Sequence, residues 1–466
     1  MPAQFGMIGL GTMGRNLVLN MADKGFVVCG YDRDPEQQKR LAEEGAGKPV
    51  QVAASMQELV TSLETPRRIM MLVPAGKIVD AVIDEVSPLL QPGDILIDGG
   101  NSHFTDTDKR IERLKASGIH FTGMGISGGE DGARLGPSMM PGGSAEGYAE
   151  LKNILEKIAA QTSDGPCVTF IGLGSAGHYT KMVHNGIEYA VMQLISEVYG
   201  ILKNIGGLTN PELQEIFTAW NKSALQSFLI EITATVLAKK DEATGKPLVD
   251  MILDKARQKG TGMWTSQSAM DLNVPLTIID AAVSMRYISA MKEERVKAAA
   301  MYRLTQENTG AGKEKLVSLC KKALHFGMLL SYAQGLQLLT VASTAYKYDI
   351  HITEIIRIWK GGCIIRSALL NDLQKAYEEN KEIPNIIQST VFQSLLQGLR
   401  KDTVSLLAIA TEAAAPVAAL SASLQYLDAY CTAQLPANLI QAQRDHFGAH
   451  TYERTDKPGD FHSDWN

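Results

Sequence analysis

The sequence predicts an α/β domain at the N-terminus, a large all-α domain after it, and an extended C-terminal tail. Three observations carry this prediction. Short apolar runs alternate with helix-length segments up to Gly177, long helical periodicities take over from there to about Thr432, and the segment from Gln441 turns polar with spaced aromatics. Strands separated by helices imply βαβ units, hence a parallel sheet covered by helices on both faces.

Taken in order, residues 4–10 form a short apolar strand, 15–24 a helix and 26–31 a second strand. Further strands are expected at 68–73 and 94–98, which run into Pro-Ala-Gly and Gly-Gly-Asn turns, and at 120–124 and 168–171. In the helical half the clearest periodicities cover 188–205, 211–240, 275–304 and 314–346. The apolar stretch 413–430 exceeds what one small bundle needs and is expected to form part of a subunit interface. The expected divisions are therefore 1–177, 178–436 and 437–466, with a hinge at 172–177. Tyr452, Phe461 and Trp465 give the tail anchors for docking rather than for disorder.

At 466 residues, 45% hydrophobic and 21% charged, the chain has an ordinary globular composition and enough length for two or three domains. A net charge of -6 argues against nucleic acid or an anionic membrane as the main ligand. The five cysteines are scattered, with no C-x-x-C pair, which points to free thiols in a reducing compartment. The N-terminus runs straight into a strand without a signal-peptide pattern, and no apolar run reaches transmembrane length. A cytoplasmic protein is the expectation.

Gly9-Leu10-Gly11-Thr12-Met13-Gly14 follows the first strand and opens a helix. This is the G-x-G-x-x-G context of a Rossmann-type dinucleotide site, in which the helix N-terminus faces the pyrophosphate. Asp32 stands where an acidic residue would bind the ribose. Within Asp32-Arg33-Asp34, the carboxylate of Asp32 suits the ribose hydroxyls of NAD and repels a 2′-phosphate, whereas Arg33 could pair with that phosphate. NAD or NADP is expected, and the triplet tips the balance to NAD. A second match, Gly172-Leu-Gly-Ser-Ala-Gly177, is followed by helix rather than by a strand ending in an acid. It reads as the turn that delivers the chain to the next helix.

That helix carries Lys181, His184, Asn185 and Glu188 among Met182, Val183, Ile187 and Val191. Offsets of three, four and seven place the four polar groups on one face. A polar stripe in a buried helix is costly unless it is paired or does chemistry. An amine, an imidazole, an amide and a carboxyl group can together move protons between two points of a small substrate. Two Gly-rich segments, Asp98-Gly-Gly-Asn-Ser102 and Ile126-Ser-Gly-Gly-Glu-Asp-Gly-Ala-Arg134, follow strands, where open α/β sheets bind ligands. They are expected to wall the same site.

With these motifs, and with Lys259-Gly-Thr-Gly, Trp359-Lys-Gly-Gly-Cys-Ile-Ile-Arg366 and Arg444-Asp-His-Phe-Gly-Ala-His-Thr-Tyr452, the chain resembles the 6-phosphogluconate dehydrogenase family over essentially its full length. This family holds the decarboxylating members of the β-hydroxyacid dehydrogenase superfamily, which serve the pentose phosphate pathway. The resemblance implies oxidation of 6-phosphogluconate at C3 with reduction of NAD(P), loss of CO2 and release of ribulose 5-phosphate. Lys181 would be general base and then acid, and Glu188 the acid that protonates C1. His184 and Asn185 would orient the sugar. Ser127, Gly128 and Gly129 would hold its carboxylate end, with Asn101 between sugar and nicotinamide. Val73, Pro74 and Ala75 would wall the cofactor.

By the same resemblance Tyr189, Lys259, Thr261 and Arg286 would take the 6-phosphate. Arg444 would join them from the tail of a neighbouring subunit, and His450 would complete that shared site, making a homodimer obligatory. No metal is implied, since a β-keto acid decarboxylates through its own carbonyl. The chain departs from the family pattern at Asp32-Arg33-Asp34, where NADP-dependent members usually carry Asn-Arg-Thr or Asn-Arg-Ser. It departs again at Pro74 and at Met263, where lysine is common. The nearest rival is another NAD(P)-dependent β-hydroxyacid dehydrogenase, whose site would need neither Arg286, Lys259 nor a donated Arg444. A dinucleotide-binding sensor without turnover would have no use for the Lys181–Glu188 pair.

Overall fold

Short apolar runs make strands here because alternate side chains are buried on opposite faces of one sheet. The strands of the N-terminal half are β1 (Phe5–Ile8), β2 (Val28–Tyr31), β3 (Val50–Val52), β4 (Arg68–Met71), β5 (Ile95–Asp98), β6 (His120–Ser127), β7 (Ser138–Gly143), β8 (Gln161–Thr162), β9 (Gly165–Pro166) and β10 (Gly172–Leu173). Phe5, Met7, Met70, Ile95 and Ile97 point into one core, while Ile8, Ile69, Met71 and Leu96 point into the other. The first core is closed by α1 (Thr12–Asp23) and α2 (Pro35–Glu44), the second by α3 (Met56–Ser62) and α4 (Lys77–Val86). Also in this half are α5 (Phe104–Lys115), α6 (Gly129–Leu135) and α7 (Ala145–Ile158). This computed structural model describes residues 1–304 and 310–465. It forms two compact units, one spanning Met1–Ser423 and the other starting at Leu424.

The main sheet has the order β10-β7-β6-β5-β4-β1-β2-β3. It is parallel except at its β7–β10 edge, where β7 runs antiparallel to β6, with Met124 opposite Pro141 and Ser127 opposite Ser138, and β10 runs parallel to β7. The purely parallel sheet expected from the sequence is corrected on that point. A strand at 168–171 does not form. Val168 makes a single bridge to Met139, and pairing resumes only at β10. β7 is hard to see in sequence because a proline and two glycines occupy half of it.

The helical half comprises α8 (Ala176–Gly200), α9 (Asn210–Trp220), α10 (Phe228–Ala238), α11 (Thr261–Asp271), α12 (Thr277–Ala290), α13 (Lys292–Tyr302), α14 (Lys313–Tyr346), α15 (Ile352–Trp359), α16 (Leu369–Glu379), α17 (Thr390–Glu412) and α18 (Ala418–Tyr430). The expected helix 211–240 is two helices. The first ends at Trp220, and Ser227 caps the second, its hydroxyl accepting from Ile230 N. The expected helix 275–304 likewise breaks at Met291. The expected 188–205 begins earlier, at Ala176, and ends in a π turn at Ile201–Ile205. α14 is buried on most sides and packs against both α8 and α17. Among the described residues no helix is long and apolar enough to cross a membrane.

The second unit holds α19 (Ala437–Gly448) and a hairpin of β11 (Tyr452–Glu453) and β12 (Asp460–Phe461). Its organising group is the buried carboxylate of Asp445. That carboxylate accepts from Thr451 N at 3.0 Å, Ser463 N at 3.1 Å and Trp465 Nε1 at 2.8 Å, with His462 Nδ1 at 2.8 Å. These charge-assisted bonds hold the carboxyl group of Asp445 well below the usual carboxylate range against the cost of its burial. Trp465 thus docks on the tail's own helix, with Tyr452 packed beside it and Phe461 beside Tyr452. Asn466 lies outside the described residues.

Candidate active site

The Gly-rich turn after β1 is built for close backbone approach. A Cβ on Gly14 would stand 1.9 Å from Gly9 O, so the helix can start this close to the strand only with glycine there. At Gly11, by contrast, an added Cβ meets nothing within 4 Å, and no side chain caps the N-terminus of α1. Open ground beside free helical N–H groups fits a pyrophosphate. Asp32 closes the turn from β2. Its Oδ2 accepts from Leu10 N at 2.7 Å and its Oδ1 from Asp34 N at 2.9 Å. Asp34 caps α2 through Glu36 N. Thr12 is exposed and Met13 half-buried at the start of α1. Pro74 and Ala75 are exposed beyond β4, beside a half-buried Val73.

The second Gly-rich turn does a different job. Gly177 lies so close to the sheet that a Cβ there would meet Gly123 O at 2.2 Å and Met140 O at 2.3 Å. This contact seats the first turn of α8 directly on β6 and β7. The 172–177 segment is pinned as well, with Leu173 N donating to Tyr348 O at 2.8 Å and Ser175 Oγ 2.8 Å from Tyr348 Oη. These bonds tether the junction at which the hinge is expected.

One turn further on, Lys181 lies against Gly125 of β6. A Cβ on Gly125 would fall 2.3 Å from Lys181 Cβ and 2.9 Å from its Cγ. Gly125→Ala therefore pushes the Lys181 stem aside. Displacements of about 1 Å at a reacting group can cost on the order of 100-fold in rate. The expected outcome is a kcat reduced by about that factor with cofactor affinity kept. An unchanged kcat would remove Lys181 from the chemistry.

Three of the four stripe residues, His184, Asn185 and Glu188, lie within one set of polar contacts. Ser127 Oγ lies 3.2 Å from His184 Nε2, His184 Nδ1 3.1 Å from Asn185 Oδ1, and Asn185 Nδ2 donates to Thr261 Oγ1 at 3.2 Å. Glu188 Oε2 is 3.9 Å from His184 Nδ1. Thr265 fixes α11 to the stripe helix by donating to Met182 O at 2.9 Å. On the next turn, the guanidinium of Arg286 stacks 3.6 Å from the centre of the Tyr189 ring.

Burial sets the protonation states of this stripe. It pushes Lys181 below the ordinary lysine value of 10.5, while the charge of Glu188 and the neighbouring Cys363 oppose the shift. It pushes Glu188 above 4.5, against the attraction of Lys181 and Arg286. It holds His184 far below 6.5, helped by the charge of Lys181. A neutral imidazole is then a fixed donor and acceptor. The amine and the carboxyl group are both moved toward values where they exchange protons near neutrality.

Two sets of residues that sequence reasoning left without a role hold the site's walls. Arg110, almost fully buried on α5, donates to Asp80 Oδ1 (2.8 Å), Gly76 O (3.1 Å), Asp98 Oδ2 (3.3 Å) and Ser102 Oγ (3.2 Å). It ties the loop after β4 to the Asp98–Ser102 loop that carries the exposed Asn101. His178, on the first turn of α8, binds Asp98 O at 3.0 Å and Thr107 Oγ1 at 2.6 Å. An arginine in an amphipathic helix and a histidine beside a glycine gave no local sign of this. The second set is the Gly361–Ile364 turn, which backs Ser127 through Ile364 N at 3.4 Å and Ser138 N through Gly362 O at 2.9 Å. The indole of Trp359 sits edge-on to His184, 5.6 Å between centres. The paired glycines of Trp359-Lys-Gly-Gly-Cys were the available signal.

Gly128 and Gly129 begin α6 directly after Ser127, both with positive φ. Lys259 is exposed just before α11. Arg444 and His450 are exposed in the second unit, Arg444 bonded to Gln441.

A doubly wound sheet with a phosphate-binding turn, joined to a helix bearing a buried acid–base stripe, defines a dinucleotide-binding oxidoreductase. Residues 4–174 match the model of the NAD binding domain of 6-phosphogluconate dehydrogenase, and residues 177–465 that of its C-terminal domain. The chain belongs to the 6-phosphogluconate dehydrogenase family. It is 51% identical over 463 residues, 99% of each chain, to the NADP(+)-dependent, decarboxylating 6-phosphogluconate dehydrogenase of Bacillus subtilis. It is 48% identical, again over 99% of each chain, to the decarboxylating one of Escherichia coli. Its fold matches that of Plasmodium falciparum 6-phosphogluconate dehydrogenase, a protein described in its apo form, in complex with its cofactor NADP+ and in complex with its substrate 6-phosphogluconate. The TM-score is 0.96 at 41% identity, covering 99% of this chain and 100% of the other. Neither cofactor name supports the preference for NAD read from Asp32. Each oxygen of that carboxylate accepts one backbone N–H of the turn.

Proposed function

We propose that this chain converts 6-phospho-D-gluconate to D-ribulose 5-phosphate and CO2, with NADP as its better cofactor. The observation that carries the reading is the buried stripe, where one helix presents an amine and a carboxyl group whose proton affinities are shifted toward each other. When bound, the nicotinamide accepts the hydride from C3. Neutral Lys181 takes the C3 hydroxyl proton, and the resulting 3-keto acid loses its carboxylate as CO2. The C–C bond electrons pass to the C3 oxygen, which the protonated Lys181 neutralises, leaving an enediol. Glu188 then delivers its proton to the former C2, which becomes C1 of ribulose 5-phosphate, while Lys181, neutral again, takes the proton back from the oxygen on the former C3 as the ketone forms. His184, Asn185 and Ser127 orient the sugar through the chain of bonds described above, with Gly128 and Gly129 at its carboxylate and Asn101 toward the nicotinamide.

Tyr189, Lys259, Thr261 and Arg286 take the 6-phosphate, with Arg444 and His450 supplied by the partner of a homodimer. The second unit supports this sharing, since it is folded on its own Asp445 yet exposes Leu439, Ile440 and Phe447. On this reading the chain divides functionally at 177 and 436, and the dimer works in the cytoplasm, where buried free thiols such as Cys320 and Cys363 persist. Arg33 is the group for the 2′-phosphate of NADP.

The pH dependence tests the acid–base assignment. Lys181 must be neutral to accept a proton, so activity falls as pH drops through its lowered value. Glu188 must be protonated to donate, so activity falls as pH rises through its raised value. The expected kcat/KM profile with 6-phosphogluconate is bell-shaped, with both limbs inside the interval from 4.5 to 10.5 set by the ordinary values. A profile flat across that interval would contradict the pair.

A further inference from the structure

Arg33 follows the strand end where the ribose is recognised, and its guanidinium is not idle. Arg33 Nη2 lies 2.6 Å from Glu85 Oε2 of α4. The pair is partly exposed on both sides, about two-thirds for Arg33 and two-fifths for Glu85. The carboxylate raises the proton affinity of an already permanent cation. Glu85 is the carboxylate that meets this guanidinium, although Arg33 stands between Asp32 and Asp34 in the chain. Asp32 is committed to the turn and Asp34 to the cap of α2, both through backbone N–H groups, whereas Glu85 has Arg33 as its ion-pair partner.

We infer that Glu85 is a specificity-determining residue for the cofactor, holding Arg33 toward α4 and so weakening the grip on a 2′-phosphate. NADP gains from Arg33 only if the guanidinium leaves or shares Glu85. NAD carries no such phosphate and is indifferent to the pair. The inference rests on the dinucleotide reading of the Gly9–Gly14 turn, and it concerns binding rather than the chemical step. An exposed ion pair is a weak competitor, so the effect is modest, and it fades as salt screens it.

The test is the dissociation constant of NADPH and of NADH, each read from nicotinamide fluorescence on the full-length protein. Glu85→Gln is expected to tighten NADPH about two- to five-fold at low salt, leave NADH unchanged, and lose most of this gain at high salt. In an Arg33→Gln background the same substitution is expected to have no effect on NADPH. An unchanged NADPH constant in Glu85→Gln, an equal change for NADH, or the full gain without Arg33 would each overturn the inference. Failure of the unsubstituted protein to bind either nucleotide is a separate result. It would sink the dinucleotide reading itself, and this inference with it.

Discussion

Replacing Lys181 by methionine is expected to lower kcat by about 100- to 10,000-fold, the range that a positioned general acid–base supplies. Methionine fills the space of the lysine stem against Gly125 and brings no charge into a buried site, so the fold is kept. Lys181→Arg should be equally inactive, because a guanidinium does not give up its proton and cannot serve as base. NADPH binding should survive in both variants, since the Gly9–Gly14 turn lies on a different element. A Lys181→Met protein with near-normal kcat would refute the assignment. Loss of NADPH binding would instead mark Lys181 as structural.

The second large effect concerns the tail. Arg444→Ala is expected to raise KM for 6-phosphogluconate by about 10- to 150-fold with kcat less changed, the cost of one hydrogen bond to a charged group. Where that arginine acts can be read by mixing subunits. A hybrid of a Lys181→Met subunit with an Arg444→Ala subunit contains one fully intact site if the tail serves the partner. It contains none if the tail serves its own chain. Recovery of activity on mixing is the expected result. Mixing without recovery would place Arg444 in the site of its own subunit.

Much of this was legible in the residues. The phosphate-binding turn, the acid near Asp32 and the four-residue stripe follow fixed local spacings, and local spacing is what a sequence displays. The positions of strands β1, β2, β4, β5 and β6 followed from runs that stay apolar because both faces are covered. What stayed hidden was set by partners far away in the chain. β7 is a strand because β6 offers an edge to a segment with poor strand propensity. The role of Gly125 exists only because α8 returns to lie on it, more than fifty residues later. The role of Arg110 depends on four acceptors that the fold brings together, Gly76 O, Asp80 on α4, Asp98 at the end of β5 and Ser102. The way Asp32 is held was equally hidden, since the bonds it accepts from Leu10 N and Asp34 N exist only in the folded turn.

The measurement that tests the central claim most directly is stoichiometry. Purified protein is mixed with 6-phosphogluconate and NADP, and with NAD in parallel, while reduced nicotinamide and released CO2 are followed together. The account predicts one CO2 for each cofactor reduced, faster with NADP. Reduced cofactor without CO2 would contradict it and return the chain to the non-decarboxylating hydroxyacid dehydrogenases.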